Sequence, residues 1–147
     1  MSHSLTKIWI HAIIGTKDKE AYITKDIENK VYNHIKTKLD EELNCRVKVI
    51  NGTKDHIHIL FLLSSMFSIK DIMQSIKGET SHWINQNKLS GFRFAFQIGY
   101  EAFSVSESKL KETEQYIRTQ KEHHKKVPFQ EEYDAFMKKY GLEFANR

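Results

Sequence analysis

Apolar positions along this chain fall into two periods, and the switches between them mark out the elements. Residues 8–14 are a short apolar run with β-branched and aromatic side chains, closed by Gly15, and predict a strand. A polar loop over residues 16–20 follows. Across residues 24–43, Ile27, Val31, Ile35, Leu39 and Leu43 recur at a spacing of four with Tyr32 beside them, the mark of an amphipathic helix. Thr24 is its expected N-cap, with Asp26 and Glu28 favouring the dipole in the first turn. Residues 47–50 predict a strand, Asn51-Gly52 a turn, and residues 55–63 the next strand. Ser68 opens a helix with Asp71 as its capping-box partner, and Ile69, Ile72, Met73, Ile76, Trp83 and Ile84 form the apolar stripe. Phe92, Phe94, Phe96 and Ile98 alternate with Arg93, Ala95 and Gln97, which predicts a half-buried strand. Gly99 ends it, and residues 100–105 continue as another strand. Ser106 is expected to cap a helix reaching about His124, and Pro128 precedes a last short helix over residues 131–140.

The order β-α-β-β-α-β followed by helices predicts an α+β fold of the ferredoxin-like split βαβ kind. Its antiparallel sheet carries two helices on one face, and a C-terminal tyrosine-bearing helix follows. The sheet's second face needs a cover, which a late helix or a second subunit would provide. No repeat, linker or low-complexity tract divides the chain, so residues 1–147 read as one domain, with a core over residues 5–105 and a helix and tail over residues 106–147.

Composition narrows the setting. At 147 residues one core suffices without disulfide or structural metal. Cys45, the single cysteine, reads as a small buried hydrophobe. No apolar stretch approaches the length of a membrane span and no secretion signal opens the chain, so no membrane partner and a cytoplasmic setting are expected. Lys and Arg number 23 against 19 Asp and Glu, a net charge of +4 that leans toward a polyanionic partner.

Candidate chemistry sits at two places. Strand side chains alternate faces, so His56 and His58 point the same way, with Ile57, Ile59, Phe61 and Leu63 pointing the other. Two imidazoles on a rigid strand can close on one metal ion, although an isolated His-x-His more often decorates a surface. Further on, Tyr116 and Gln120 stand four apart and share a helix face. That helix has few sizeable apolar residues (Leu110, Tyr116 and Ile117), as befits a surface helix or one that packs on a partner. A phenol of pKa ~10 is a poor nucleophile at neutral pH without help. A divalent cation beside it would polarise a phosphate oxygen. Two imidazoles and an amide oxygen, completed by water and phosphate, make an octahedral set suited to Mg²⁺ or Mn²⁺.

These residues carry a resemblance. Asp55-His56-Ile57-His58, Tyr116-Ile117-Arg118-Thr119-Gln120 with Glu122-His123-His124, residues 68–70 through 77–79, and the Ala102-Phe103-Ser104-Val105-Ser106 segment are similar to the single-tyrosine HUH transposases of the insertion-sequence 200/605 family. The similarity runs over nearly the whole chain. It implies a homodimer that recognises single-stranded DNA hairpins at the ends of a mobile element. It also implies Tyr116 as the nucleophile that forms a 5′-phosphotyrosine, and a metal held by His56, His58 and Gln120. Composite sites, with the histidines of one subunit meeting the tyrosine helix of the other, are implied as well. The chain departs from many relatives at Phe96, where a tryptophan precedes the glutamine, and at residues 17–20, which lack a proline.

A reading of another class is a non-catalytic ferredoxin-like nucleic-acid-binding module. The two readings differ on whether His56, His58, Gln120 and Tyr116 converge. His123 and His124, near Lys121, Lys125 and Lys126, would stabilise a helix C-terminus or touch phosphate. Lys70, Gln74, Lys77 and Ser81 share one helix side and would track a DNA backbone or simply be solvated. His11 receives no role.

Overall fold

This computed structural model describes residues 4–122 together with 131, 134, 135 and 138, and among these residues four strands and three α-helices position the site. The strands are β1 (Trp9–Gly15), β2 (Val47–Gly52), β3 (His56–Leu62) and β4 (Glu101–Val105). They form one sheet in the order β2-β3-β1-β4, with every neighbouring pair antiparallel. The helices are α1 (Glu28–Thr37), α2 (Ile69–Gln86) and α3 (Leu110–Arg118). Each of β1–α1–β2 and β3–α2–β4 is a βαβ unit split by a strand of the other, as the sequence pattern predicts.

Alternation along β1 and β3 gives the sheet two different faces. Ile10, Ala12 and Ile14 from β1 and Ile57, Ile59 and Phe61 from β3 join Val31, Ile35, Ile72, Met73 and Ile76 in the main core under α1 and α2. The helix periodicity that predicted α1 is fully used, since Ile27, Val31, Ile35, Leu39 and Leu43 are all buried. Cys45 is buried too, and burial pushes its thiol pKa up. On the opposite face Trp9, Val49, Leu60 and Val105 pack with Ile117 of α3 in a smaller cluster. The second face is thus covered by the chain's own late helix. No helix among the described residues is long and apolar enough to cross a membrane.

Four expectations are corrected. The first helix starts one turn after Thr24, at Glu28, and its last part, Lys38–Glu42, widens into a π turn. The Thr24 hydroxyl bonds to Asp26 instead of capping a backbone N–H. Asn51-Gly52 is not the hairpin turn: both residues pair with β3, opposite His58 and Ile57, and residues 53–55 make the turn. Gly52 is demanded by close approach, because a Cβ there would lie 2.1 Å from the His56 carbonyl oxygen.

The alternating segment around Phe94 is no strand. Its backbone pairs through a single bridge from Phe96 to Thr16, while the Phe94 ring packs in the main core. The Asn85 amide of α2 takes both backbone groups of Phe94, accepting from its N–H at 2.7 Å and donating to its carbonyl at 2.9 Å. Those groups are therefore spent on a side chain, and Phe92 and Ile98 stand in solvent, 76% and 99% exposed. The fourth correction concerns the tyrosine helix. Ser106 makes no side-chain cap bond, a 3₁₀ turn precedes α3, and α3 ends at Arg118 before helical structure resumes at Gln120. Ser68, by contrast, caps α2 as expected by accepting from the Asp71 N–H at 3.1 Å. His123, His124 and Pro128 lie outside the described residues, as does most of the expected last helix.

Candidate active site

His56 and His58 leave β3 on the face that α3 covers, and both are essentially inaccessible. Their ring centroids are 5.0 Å apart. The Nδ1 of His56 lies 2.8 Å from an Asp55 carboxylate oxygen and 2.8 Å from the Thr53 hydroxyl, whose proton goes to the same carboxylate oxygen at 3.0 Å. A proton on Nδ1 donated to Asp55 leaves the lone pair on Nε2. That atom faces Gln120 Oε1 at 3.3 Å, and Gln120 is itself fully buried.

Tyr116 completes the group, with its ring centroid 5.8 Å from that of His58. All four predicted residues therefore meet within one chain. Tyr116 and Gln120 share a side of the structure even though the helix is interrupted at Thr119 between them. His11, to which the sequence assigned nothing, also belongs here: its Nε2 is 2.9 Å from His58 Nδ1, and it is fully buried. The available signal was its parity, opposite to Ile10, Ala12 and Ile14 on β1.

Polar contacts make up for the thin apolar stripe of α3. Asn51 Nδ2 donates to the carbonyls of Ile117 and Arg118 at 3.0 and 3.1 Å. Lys121 donates to Asn51 Oδ1 at 2.7 Å and pairs with Glu28 at 3.3 Å. At the other end Trp9 donates its indole N–H to Glu107 at 3.2 Å. Bonds from Lys7 and Trp9 hold the Glu107 carboxyl below its ordinary range. The Arg118 guanidinium, with help from Lys48, does the same for Glu114. Of the helix side expected to track a backbone, Lys77 donates to the Gly99 carbonyl and Ser81 to that of Gly78, whereas Lys70 and Gln74 are exposed.

The donor chemistry fits a hard divalent cation. With Nδ1 of His56 protonated, Nε2 and Gln120 Oε1 present two lone pairs to one another, an arrangement that a cation between them relieves. Adjacent corners of an octahedron with bonds of ~2.1 Å lie roughly 3.0 Å apart, close to the separation seen. Among the described residues no group of three or more His, Cys, Asp or Glu is placed to hold a metal ion, so the candidate set is two imidazoles and an amide.

A four-stranded antiparallel sheet that carries a histidine pair on the face covered by a tyrosine-bearing helix defines a small tyrosine-transposase architecture. The chain belongs to the IS200-like transposase family, whose sequence profile matches residues 4–120. Solved structures share the fold at low identity. A protein of Deinococcus radiodurans R1 assigned as a transposase is 17% identical, with a TM-score of 0.62 over 82% of this chain and 95% of that one. A REP-associated tyrosine transposase bound to a REP hairpin is 13% identical, with a TM-score of 0.63 over 86% of this chain and 76% of that one. No curated protein matches the sequence.

Proposed function

We propose that this chain cleaves and rejoins single-stranded DNA at hairpin-marked ends, with Tyr116 as the nucleophile and Mg²⁺ or Mn²⁺ held by His56, His58 and Gln120. The observation that carries this reading is the convergence of the four side chains, with His56 Nε2 3.3 Å from Gln120 Oε1 and the rings of His58 and Tyr116 5.8 Å apart. The hairpin in the complex of the REP-associated relative supports the substrate class.

When bound, the cation would supply Lewis acidity at a phosphate oxygen. The protein's own groups do the rest. Asp55 accepts the Nδ1 proton of His56 and keeps the Nε2 lone pair turned inward. The anchored α3 holds the Tyr116 ring beside those of His58 and His11, so that attack on phosphorus becomes a matter of placement. The tyrosine oxygen bonds to phosphorus as its proton passes to solvent water, which returns one to the leaving group, and the bond from phosphorus to the 3′ oxygen breaks. That oxygen takes a proton and leaves as a free 3′-hydroxyl, while the 5′-phosphate stays on Tyr116. Attack by a 3′-hydroxyl on the phosphotyrosine reverses the exchange and restores the phenol. One phosphate ester replaces another, so no nucleotide cofactor is needed. The reading includes a homodimer, in which α3 serves its own sheet, as here, or that of its partner.

The test is a covalent adduct. A pool of labelled hairpin oligonucleotides with single-stranded flanks, incubated with protein and Mn²⁺, should yield a species that survives denaturing electrophoresis and carries the DNA 3′ of the cut. Chelation and Tyr116→Phe should each abolish it. Adduct formation by Tyr116→Phe would overturn the assignment.

A further inference from the structure

His11 lies in the middle of β1, a strand whose other side chains are apolar, opposite Leu60 of β3. It is fully buried, with the rings of His58, Tyr116 and Phe103 around it at centroid distances of 5.1, 6.4 and 6.5 Å. An imidazole in such a place is costly unless its nitrogens find partners. Its Nε2 is engaged with His58 Nδ1 at 2.9 Å.

A bond between two neutral imidazoles has a direction, because one ring must donate and the other accept. If His11 donates, the proton of His58 sits on Nε2, and His58 offers no lone pair to a cation. If His58 donates from Nδ1, its Nε2 carries a lone pair on the opposite side of the ring. Only the second arrangement is compatible with His58 as a ligand. His56 already has a partner of this kind in Asp55, 2.8 Å from its Nδ1. His11 occupies the equivalent place for His58, and its Nε2 is spent there, which leaves it no part as a third ligand through that atom.

We propose that His11 is a positioning residue that accepts the Nδ1 proton of His58 and thereby fixes the tautomer whose Nε2 binds the divalent cation. This rests on the metal reading given above. A neutral imidazole in this position orients the ligand without adding negative charge, so the cation keeps its full pull on phosphate. Asp55 orients His56 with a carboxylate, and the two ligands are held by different chemistry.

The experiment has one arm that needs no metal. Imidazole ¹⁵N spectra of the metal-free protein, taken at alkaline pH where the rings are neutral, report which nitrogen of His58 carries hydrogen. The wild type should show it on Nδ1, and His11→Leu should move it largely to Nε2. His11→Gln, whose amide oxygen can accept in the same place, should keep it on Nδ1. Titration with Mn²⁺ alone should then show His11→Leu binding ~10–100-fold more weakly, with His11→Gln close to wild type. Should His11→Leu fail to fold, the wild type and His11→Gln still decide the matter. Hydrogen on Nε2 of His58 in the wild type overturns the proposal. So does His11→Leu binding Mn²⁺ as tightly as wild type while His56→Ala loses it. Unchanged Mn²⁺ binding in His56→Ala would overturn the metal reading itself, and this inference with it, whatever the tautomer.

Discussion

Asn51, which faces His58 across the β2–β3 ladder, donates its side-chain amide to the carbonyl of Ile117 at 3.0 Å. Its second bond, to the Arg118 carbonyl, closes the end of α3 where the helix breaks at Thr119. One side chain of the hairpin therefore sets where Gln120 emerges, and Lys121 braces that side chain from the far side.

Asn51→Ala should release this end of the helix. Losing bonds of this kind costs about 1 kcal/mol each in net stability, too little to unfold the sheet. Amide exchange across residues 117–122 should accelerate while the β1–β3 ladder stays protected. Mn²⁺ affinity should fall, because Gln120 is no longer held at the imidazoles. Unaltered exchange in those residues would show that the apolar contacts alone dock the helix.

The apolar share of that docking rests on Ile117, fully buried among Trp9, Val49, Leu60 and Val105. Truncating a buried isoleucine to alanine typically costs ~2–5 kcal/mol, a large amount beside the few other contacts of α3. The expected result for Ile117→Ala is local undocking: rapid exchange over residues 110–118, loss of the covalent adduct, and a main core that still melts cooperatively. A melt shifted by the full amount with α3 still protected would mean that the helix is part of the global folding unit.

Gln120→Glu separates binding from catalysis. Two unit charges 4 Å apart interact by about 4 kcal/mol at an effective dielectric of 20, so even a third of that gives roughly tenfold in affinity. Mn²⁺ should bind at least about tenfold tighter to this variant. Cleavage should slow, since the added charge offsets the cation's pull on an anionic phosphate. Weaker Mn²⁺ binding would place Gln120 outside the ligand set.

Much of the fold was legible because the apolar periods are strong where burial is complete. The four-residue spacing from Ile27 to Leu43 and the alternation from Ile57 to Phe61 both end in the main core. The Phe92 to Ile98 alternation misled because period alone cannot say where backbone groups bond, and here Asn85 claims those of Phe94. Asn51-Gly52 misled for a related reason. Its glycine answers the approach of the His56 carbonyl, and its asparagine serves a helix 66 residues away. The histidine pair, Tyr116 and Gln120 were legible from their spacing and from the family resemblance. His11 was not, since its meaning comes from a strand pairing that brings residue 58 beside it.

Acid should loosen the tyrosine helix before the sheet. Glu107 and Glu114 both have carboxyl pKa values held below the ordinary 4.5, Glu107 by bonds from Lys7 and Trp9, Glu114 by Arg118 and then Lys48. A group whose pKa is lower folded than unfolded adds stability that is fully present above the unfolded value. That stability is lost as pH falls through the folded value. The window therefore opens near the ordinary carboxyl value of 4.5 and extends downward. Because Trp9 bonds to Glu107 and packs beneath Ile117, its emission reports docking, provided Trp83 is first replaced by phenylalanine. The share of the emission change owed to these two carboxylates should appear below about pH 4.5, with β-sheet circular dichroism following only at lower pH. Adding Glu107→Gln and Glu114→Gln should shift the neutral-pH emission toward the undocked value and flatten the acid transition. An equally steep transition in that variant would assign the acid sensitivity to other carboxylates.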